Sequence, residues 1–366
     1  MRIAHVTDSY LPRVGGIEMH VHDLATQQRT LRHDVRVLTA AAYDGPRGEV
    51  PVLAYPGPSG PLRLHGYRAL HAAVTRGGFD VVHAHLSLIS PVAWVAVRAA
   101  VRARVPVVLT MHSVAPDAGQ LSPVLRALDA GRGVTWTAVS QVAAAPLRLA
   151  LPGRDVAVLP NGIEPGDWQL PPRRWPGRPL TVVSVGRLAR RKRVVPLVEV
   201  LARVRDLVPA SQQLRAVIVG SGPQTAAVRR AVRRHGVQDW VELTGQLSHP
   251  AIRRLLAESD VFLAPARSES FGLAALQARC AGLPVVAMAC GGVGEFVQDG
   301  VEGRLVADDD AMAEATAAIL RAPVALQRMQ EHNRAVTPTM AWRQVVALNL
   351  AAYATAGAVV RQSVSS

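Results

Sequence analysis

Residues 181–194 read Thr181-Val182-Val183-Ser184-Val185-Gly186-Arg187-Leu188-Ala189-Arg190-Arg191-Lys192-Arg193-Val194. A β-branched run of strand length ends in glycine, and the chain passes almost at once into a helical pattern. That order marks a parallel sheet whose crossover helices cover both faces and whose strand ends are left for ligands. Toward the carboxyl terminus, further strand-like runs at Ala216–Val219, Val241–Thr244, Val261–Ala264 and Pro284–Ala287 alternate with helical patterns. Toward the amino terminus the same alternation holds at Ile3–Val6, Val35–Thr39, Val81–His83, Val105–Thr110, Val134–Val139 and Val156–Leu159. Between Ile163 and Leu180 it lapses into a Pro-rich segment with too few amide hydrogens for a helix or a central strand. The expected fold is α/β, with two doubly wound parallel-sheet domains at residues 1–165 and 180–340. A linker at 166–179 and a helix with a polar tail at 341–366 complete it. Two such domains leave a cleft between the carboxyl ends of their strands.

Composition agrees with a compact protein: 366 residues, 49% hydrophobic, can fill two cores. The formal charge of +14 suits nucleic acid, an anionic membrane or a phosphorylated ligand. Its arginines are scattered in pairs such as Arg173-Arg174, Arg229-Arg230 and Arg233-Arg234, without an aromatic-studded basic strand, so nucleic acid is not an expected partner. Cys280 and Cys290, the only cysteines, sit in apolar surroundings and are expected in the core of a protein from a reducing compartment. Residues 1–7 already read as a strand rather than a signal peptide, and the longest apolar run, Pro91 to Val101, is too short to span a bilayer. The expected location is the cytoplasm, with any membrane attachment peripheral on its inner face.

Three strand-to-helix turns carry candidate chemistry. After the first strand, Gly15-Gly16 precede a helical run at Ile17, where backbone amides can approach a phosphate or sugar; an ordinary tight turn explains them equally well. In the second domain, Gly186-Arg187 is followed by Lys192, the only lysine of the chain. An Arg that forks two oxygens and a Lys acting as a point charge beside helix amides suit a diphosphate; a solvated basic stretch with Arg190, Arg191 and Arg193 is the plainer reading. The third turn is Arg267-Ser268-Glu269-Ser270-Phe271-Gly272-Leu273. A carboxylate at a strand end binds sugar hydroxyls, and the free amides of Phe271 to Leu273 hold phosphate oxygens. Gln277 lies eight residues beyond Glu269 on the same helical face, and Gly291-Gly292-Val293-Gly294-Glu295 forms a further turn.

Together with Asp80–His85, Thr110–Ser113, Pro160–Ile163 and Gly220–Pro223, these segments resemble the family-4 retaining glycosyltransferases of the GT-B architecture. That family has two Rossmann-like domains facing a central cleft and includes mannosyltransferases acting on phosphatidylinositol. The resemblance implies that the second domain holds a nucleotide-sugar donor, with Arg187 and Lys192 on the diphosphate and Glu269 on the sugar. It extends the donor site to Gly15, Gly16, Gly186, Gly222, Ser270, Phe271, Gly272, Leu273 and Gln277, and base-reading residues to Gly220–Pro223 and Gln246. His112 matches a histidine near the donor sugar, a buried structural histidine being the alternative. No cofactor and no metal ion are implied beyond the donor as co-substrate, and GDP-mannose is preferred to a UDP-sugar.

Other features compete. His83 and His85 share a strand face and, with His112, form a conceivable zinc set. Asp308-Asp309-Asp310 resembles a metal-binding carboxylate pair but is read as a helix cap. Retention without an evident carboxylate nucleophile points to same-face attack, with catalysis mostly positioning and charge stabilisation. A nucleotide-sugar epimerase of the same fold, and a catalytically idle sugar-nucleotide-binding protein, stay open. The acceptor is expected to be a lipid or small-molecule hydroxyl. An anionic lipid surface is favoured by Arg63, Arg68, Arg76, Arg98, Arg102 and Arg104, and a soluble acceptor is nearly as well supported. At Gln277 the family pattern has a second glutamate on the ribose, where an amide accepts through one oxygen only. Gln277→Glu is therefore expected to tighten nucleotide binding by roughly 1 kcal/mol, the gain of a charge-assisted hydrogen bond. Titration calorimetry with unchanged or weaker affinity would argue against a ribose contact there.

Overall fold

The computed structural model describes residues 1–13, 15–41, 43, 50–55, 64–87, 90–114, 118–129, 133–169, 171 and 179–365. The chain divides into two units, Met1–Gly162 with Met340–Ser366, and Ile163–Thr339. Arg63, Arg173 and Arg174, and residues 170 and 172–178 of the expected linker, lie outside the described residues.

Unit 1 begins with β1 (Arg2–Thr7), α1 (Gly16–Thr30), β2 (Asp34–Thr39), β3 (Val52–Ala54), α2 (Leu64–Arg76) and β4 (Val81–Leu86). It continues through α3 (Pro91–Arg102), β5 (Val107–Met111), α4 (Ala118–Asp129), β6 (Val134–Ala138), α5 (Gln141–Ala150) and β7 (Val156–Val158). Unit 2 opens on the short α6 (Pro165–Trp168), then β8 (Leu180–Val185), α7 (Val194–Leu207), β9 (Leu214–Val219), α8 (Thr225–Arg234) and β10 (Val241–Gly245). There follow α9 (His249–Ala257), β11 (Val261–Ala264), α10 (Leu273–Cys280), β12 (Val285–Met288), β13 (Gly303–Val306), α11 (Asp309–Arg321) and α12 (Pro323–Ala335). The last helix, α13 (Trp342–Ser365), returns to unit 1.

Both sheets are parallel, with strand orders β3-β2-β1-β4-β5-β6-β7 and β10-β9-β8-β11-β12-β13. Each reverses direction beside its first strand, at β1/β4 and at β8/β11, and such a reversal opens a crevice at the strand carboxyl ends. The described edge strands β3 and β13 escape the sequence reading because they are three and four residues long, β3 directly after Pro51 and β13 opening on Gly303. Short edge strands carry little hydrophobic pattern.

Local chemistry starts the helices. Ser140 accepts from the Ala143 amide at 3.0 Å ahead of α5, and Asp8, just past β1, accepts from the Val92 amide at 3.0 Å at the start of α3. In unit 1, α1 and α13 cover one sheet face, where Ile3, Val21, Val37, Val81, Val108 and Tyr353 pack together. In unit 2, α7, α8 and α11 bury Leu197, Val198, Val228, Met312 and Ala317 against β8, β9 and β11. Of the two thiols, Cys280 is buried as expected but Cys290 is exposed, because it follows β12 in the turn before Gly291. Among the described residues no helix is long and apolar enough to cross a membrane.

The three aspartates 308–310 divide their work. Asp308 caps α11, accepting from the Ala311 amide at 2.8 Å. Asp309 takes both guanidinium nitrogens of Arg193, at 2.6 and 2.7 Å, and Asp310 pairs with Arg203 near the surface. Arg193 adopts a left-handed backbone, φ 54°, between the Lys192 turn and α7, so the forked pair ties that turn to α11. Asp309→Asn is expected to cost about 1.5 kcal/mol, the scale of a hydrogen bond to a charged partner, while Asp310→Asn stays within about 0.5 kcal/mol. Urea unfolding that ranked them in reverse would refute this role for Arg193.

Candidate functional site

In unit 2 the candidate residues gather at the β8/β11 reversal. The turn after β8 and the turn after β9 press together backbone to backbone. Gly186 N donates to Val219 O at 3.0 Å, Leu188 N to Ser221 O at 3.0 Å and Gln224 N to Leu188 O at 2.8 Å. Only glycine permits this approach: at Gly220, φ 135°, a Cβ would stand 1.9 Å from the Gly186 carbonyl oxygen, and at Gly222 it would stand 2.5 Å from that of Leu188. Leu188 N and Gln224 N are thereby consumed inside the scaffold.

The third turn is supported in the same way. Gly292 N donates to the Glu269 carbonyl at 2.8 Å, so the Gly291-Gly292 turn lies against residues 269–272. Gly272 caps α10 with φ 98°, and the Phe271 ring, 1% exposed, is anchored 5.5 Å from Phe296. With its ring buried, Phe271 leaves only its backbone open at the helix amino end, with Gly272 and Leu273. Ser270 shares this turn, and Gln277 is buried farther along α10.

Two candidate side chains meet here. Lys192 Nζ donates to Glu269 Oε2 at 2.5 Å, joining the loops after β8 and β11 across the reversal, with the side chains 29% and 17% exposed. Arg187 is exposed at the same strand end, and its guanidinium has no hydrogen bond or ion pair among the described residues. Arg193, read from sequence as one of several solvated cations, is held by Asp309 instead. An unpaired guanidinium, a lysine already on a carboxylate and the amino end of a helix together suit a ligand that is anionic at one end and hydroxylated at the other.

In unit 1, Gly15 caps α1 with extended backbone and makes room for Glu18, whose Oε2 would lie 2.4 Å from a Cβ there; nothing crowds Gly16. His112 follows β5 and is 6% exposed. Its ring belongs to a cluster of five buried histidines, His5, His20, His83, His85 and His112. His85 Nδ1 meets His112 Nε2 at 3.0 Å, and His85 Nε2 meets His5 Nδ1 at 2.9 Å. His83 takes a different course: its nitrogens meet the Tyr353 hydroxyl at 2.9 Å and Thr110 Oγ1 at 2.7 Å. The zinc set considered from sequence, His83 with His85 and His112, is therefore not the one that converges. The convergent groups are His5, His83 and His85, and His20, His85 and His112, each with ligand atoms within 4.8 Å of one another. His5, His20, Gln28 and Tyr353 escaped the sequence reading; the alternation of His5 with Ile3 and Thr7 on one strand face was the available signal.

With this geometry in place, comparison with known proteins is decisive for the class. Residues 179–322 match the Glycosyl transferases group 1 family, and residues 14–167 match Glycosyltransferase Family 4. The chain belongs to these glycosyltransferases. It is 30% identical over 346 residues to the phosphatidyl-myo-inositol mannosyltransferase of Mycobacterium leprae, covering 90% of each chain. It is 29% identical over 401 residues to the glycogen synthase of Mycobacterium tuberculosis, covering 96% of this chain and 94% of that one. Among solved structures, Anabaena Alr3699/HepE in complex with UDP superposes with a TM-score of 0.79 at 19% identity over 97% of this chain and 100% of that one, and has the same GT-B fold.

Burial lowers the basicity of all five histidines, to about 4 at His5 and about 3 at His112, because a charged imidazole loses its water. In the unfolded chain they titrate near 6.5, so below that pH the folded protein binds fewer protons. Stability contributed by the neutral rings is full above pH 6.5 and is lost as the pH falls toward 4 and 3. Asp23, raised by burial to about 6, and Asp8, also raised by burial, oppose this, two carboxylates against five imidazoles. The melting temperature is expected to fall steadily below pH 6.5; a flat thermal-unfolding profile down to about pH 5 would contradict neutral burial.

Proposed function

We propose that unit 2 binds a nucleoside-diphosphate sugar and that the enzyme transfers the sugar with retention and without a metal ion. The observation that carries this reading is the Lys192–Glu269 contact across the β8/β11 reversal, beside the open Arg187 and the amino end of α10. Arg187 and Lys192 hold the diphosphate, the α10 amides take its remaining oxygens, and Glu269 accepts from sugar hydroxyls. As the bond from the anomeric carbon to the diphosphate breaks, the acceptor oxygen bonds that carbon on the same face. Its proton passes to the leaving phosphate, and the cations carry the charge that builds there. GDP-mannose is the preferred donor by similarity to the mannosyltransferase. A UDP-sugar is the second choice, favoured by the UDP held in the Anabaena relative.

A panel of nucleotides scored by thermal shift tests the donor site, since a ligand of the native state raises its melting temperature by mass action. GDP or UDP is expected to stabilise the protein equally with and without chelator. Lys192→Ala should lose most of that shift, and Glu269→Gln should keep the nucleotide response but lose turnover. Binding restored only by magnesium or manganese would overturn the metal-free reading.

For the acceptor we propose an anionic lipid surface. Arg68, Arg76, Arg98, Arg102 and Arg104 are all exposed on or beside the paired helices α2 and α3. A groove of about 430 Å³ there is lined by Tyr67, Arg68, His71, Arg76 and Val95. Each arginine near an anionic leaflet contributes about 1 kcal/mol, so reversible, salt-sensitive attachment is expected. Equal co-sedimentation with anionic and neutral liposomes at low salt would leave a soluble acceptor.

A further inference from the structure

Donors and acceptors inside unit 1 can be assigned one by one, because their chain of hydrogen bonds ends on a group that cannot donate. The Leu109 carbonyl accepts from the Thr137 hydroxyl at 3.1 Å. With its one proton committed, Thr137 Oγ1 accepts from Thr110 Oγ1 at 2.6 Å, and Thr110 Oγ1 accepts from His83 Nε2 at 2.7 Å. A neutral imidazole protonated at Nε2 bears a lone pair at Nδ1, so His83 Nδ1 accepts from the Tyr353 hydroxyl at 2.9 Å. Burial pushes the Tyr353 phenol far above its ordinary value, which keeps its proton in place, and its oxygen accepts from Gln28 Nε2 at 2.9 Å. That orients the Gln28 amide: Oε1 faces His5 and accepts from His5 Nε2 at 2.8 Å. His5 Nδ1 then accepts from His85 Nε2 at 2.9 Å, and His85 Nδ1 accepts from His112 Nε2 at 3.0 Å.

We propose that this relay of eight side chains holds His112 as its Nε2–H tautomer, so that Nδ1 is a fixed hydrogen-bond acceptor for a substrate hydroxyl. Gln28, Tyr353, Thr110 and Thr137 are then positioning residues for His112. The assignment rests on reading His112 as a residue that meets a sugar hydroxyl. Every member of the relay donates once along it, and every member except His112 also accepts once. Reversal requires all eight groups to turn together and strips the Leu109 carbonyl of the Thr137 hydrogen bond. At the far end, no neighbour among the described residues hydrogen-bonds His112 Nδ1. The His20 ring, stacked on Trp342, lies 5.3 Å from the His112 ring and does not bond it. A lone pair fixed in this way selects for a group that can donate, such as a sugar hydroxyl, over one that can only accept.

Two-bond proton–nitrogen correlation spectra of the full chain, labelled with nitrogen-15 at histidine, read the tautomer directly. Free wild-type protein at neutral pH is expected to show His112 protonated at Nε2 alone. Tyr353→Phe keeps the ring but cuts the relay from its anchor, and His112 is then expected as a mixture of both tautomers. An equal mixture halves the competent fraction, so transfer should fall twofold or more. Thr137→Val removes the anchor itself and should mix the tautomers in the same way, whereas Thr137→Ser restores the hydroxyl and should restore the single form. A purely structural role would change stability in these variants without moving the tautomer. The proposal is overturned if wild-type His112 carries its proton on Nδ1 or is charged, or if Tyr353→Phe and Thr137→Val both keep the wild-type form. The tautomer is read without ligand, so it stands apart from the donor reading, which fails separately if neither UDP-glucose nor GDP-mannose raises the melting temperature.

Discussion

A parallel sheet covered on both faces has room for polar chemistry only at the ends of its strands. Unit 2 keeps to this constraint. Its buried strand residues are mostly valine, leucine and alanine, and its polar candidates appear after Val185 and after Ala264, where the sheet reverses and two loops meet. Unit 1 breaks it, placing His5 opposite His83 and Thr7 opposite His85 within β1 and β4. Buried polar groups need partners, so much of what covers that face follows from the histidines. Gln28 comes from α1 and Tyr353 from α13, and both reach into the sheet to supply hydrogen bonds.

Cations are sorted by a related requirement. Arg279, deep in unit 2, is paired with Glu302 at 3.1 Å, and Arg193 is held by Asp309. These are positions where an unpaired charge would be costly, and each has its carboxylate. Among the described residues Arg187 is left open, and Lys192 is paired only with another residue of the same turn cluster. The formal charge of +14 is therefore uninformative as a total, and what distinguishes one cation from another is whether the fold has already used it.

Most of the architecture was legible from residues 181–194 outward, because buried parallel strands are written as uninterrupted β-branched runs. The edge strands β3 and β13 were not, being too short to show a period. At the site, glycine turns and the Lys192 and Glu269 positions could be read from the sequence, since each lies a fixed distance past a strand end. The partnership of Arg193 with Asp309 could not, because 116 residues separate them and neither position differs in type from its neighbours. The same holds for Gln28 and Tyr353, which are 325 residues apart. Cys290 was misjudged from its apolar neighbours, which belong to the strand it has just left.

Because α13 packs into unit 1 while Ile163–Thr339 forms a unit of its own, the polypeptide is not completed in the order in which it is made. A ribosome releases all of unit 2 before it has released the last helix of unit 1. The later-encoded unit is thus the first to have its whole sequence available. Until α13 emerges, Gln28 Nε2 and His83 Nδ1 have no Tyr353 hydroxyl to meet, and water must take its place on that face. A sheet left uncovered in this way is the kind of surface on which aggregation competes with folding.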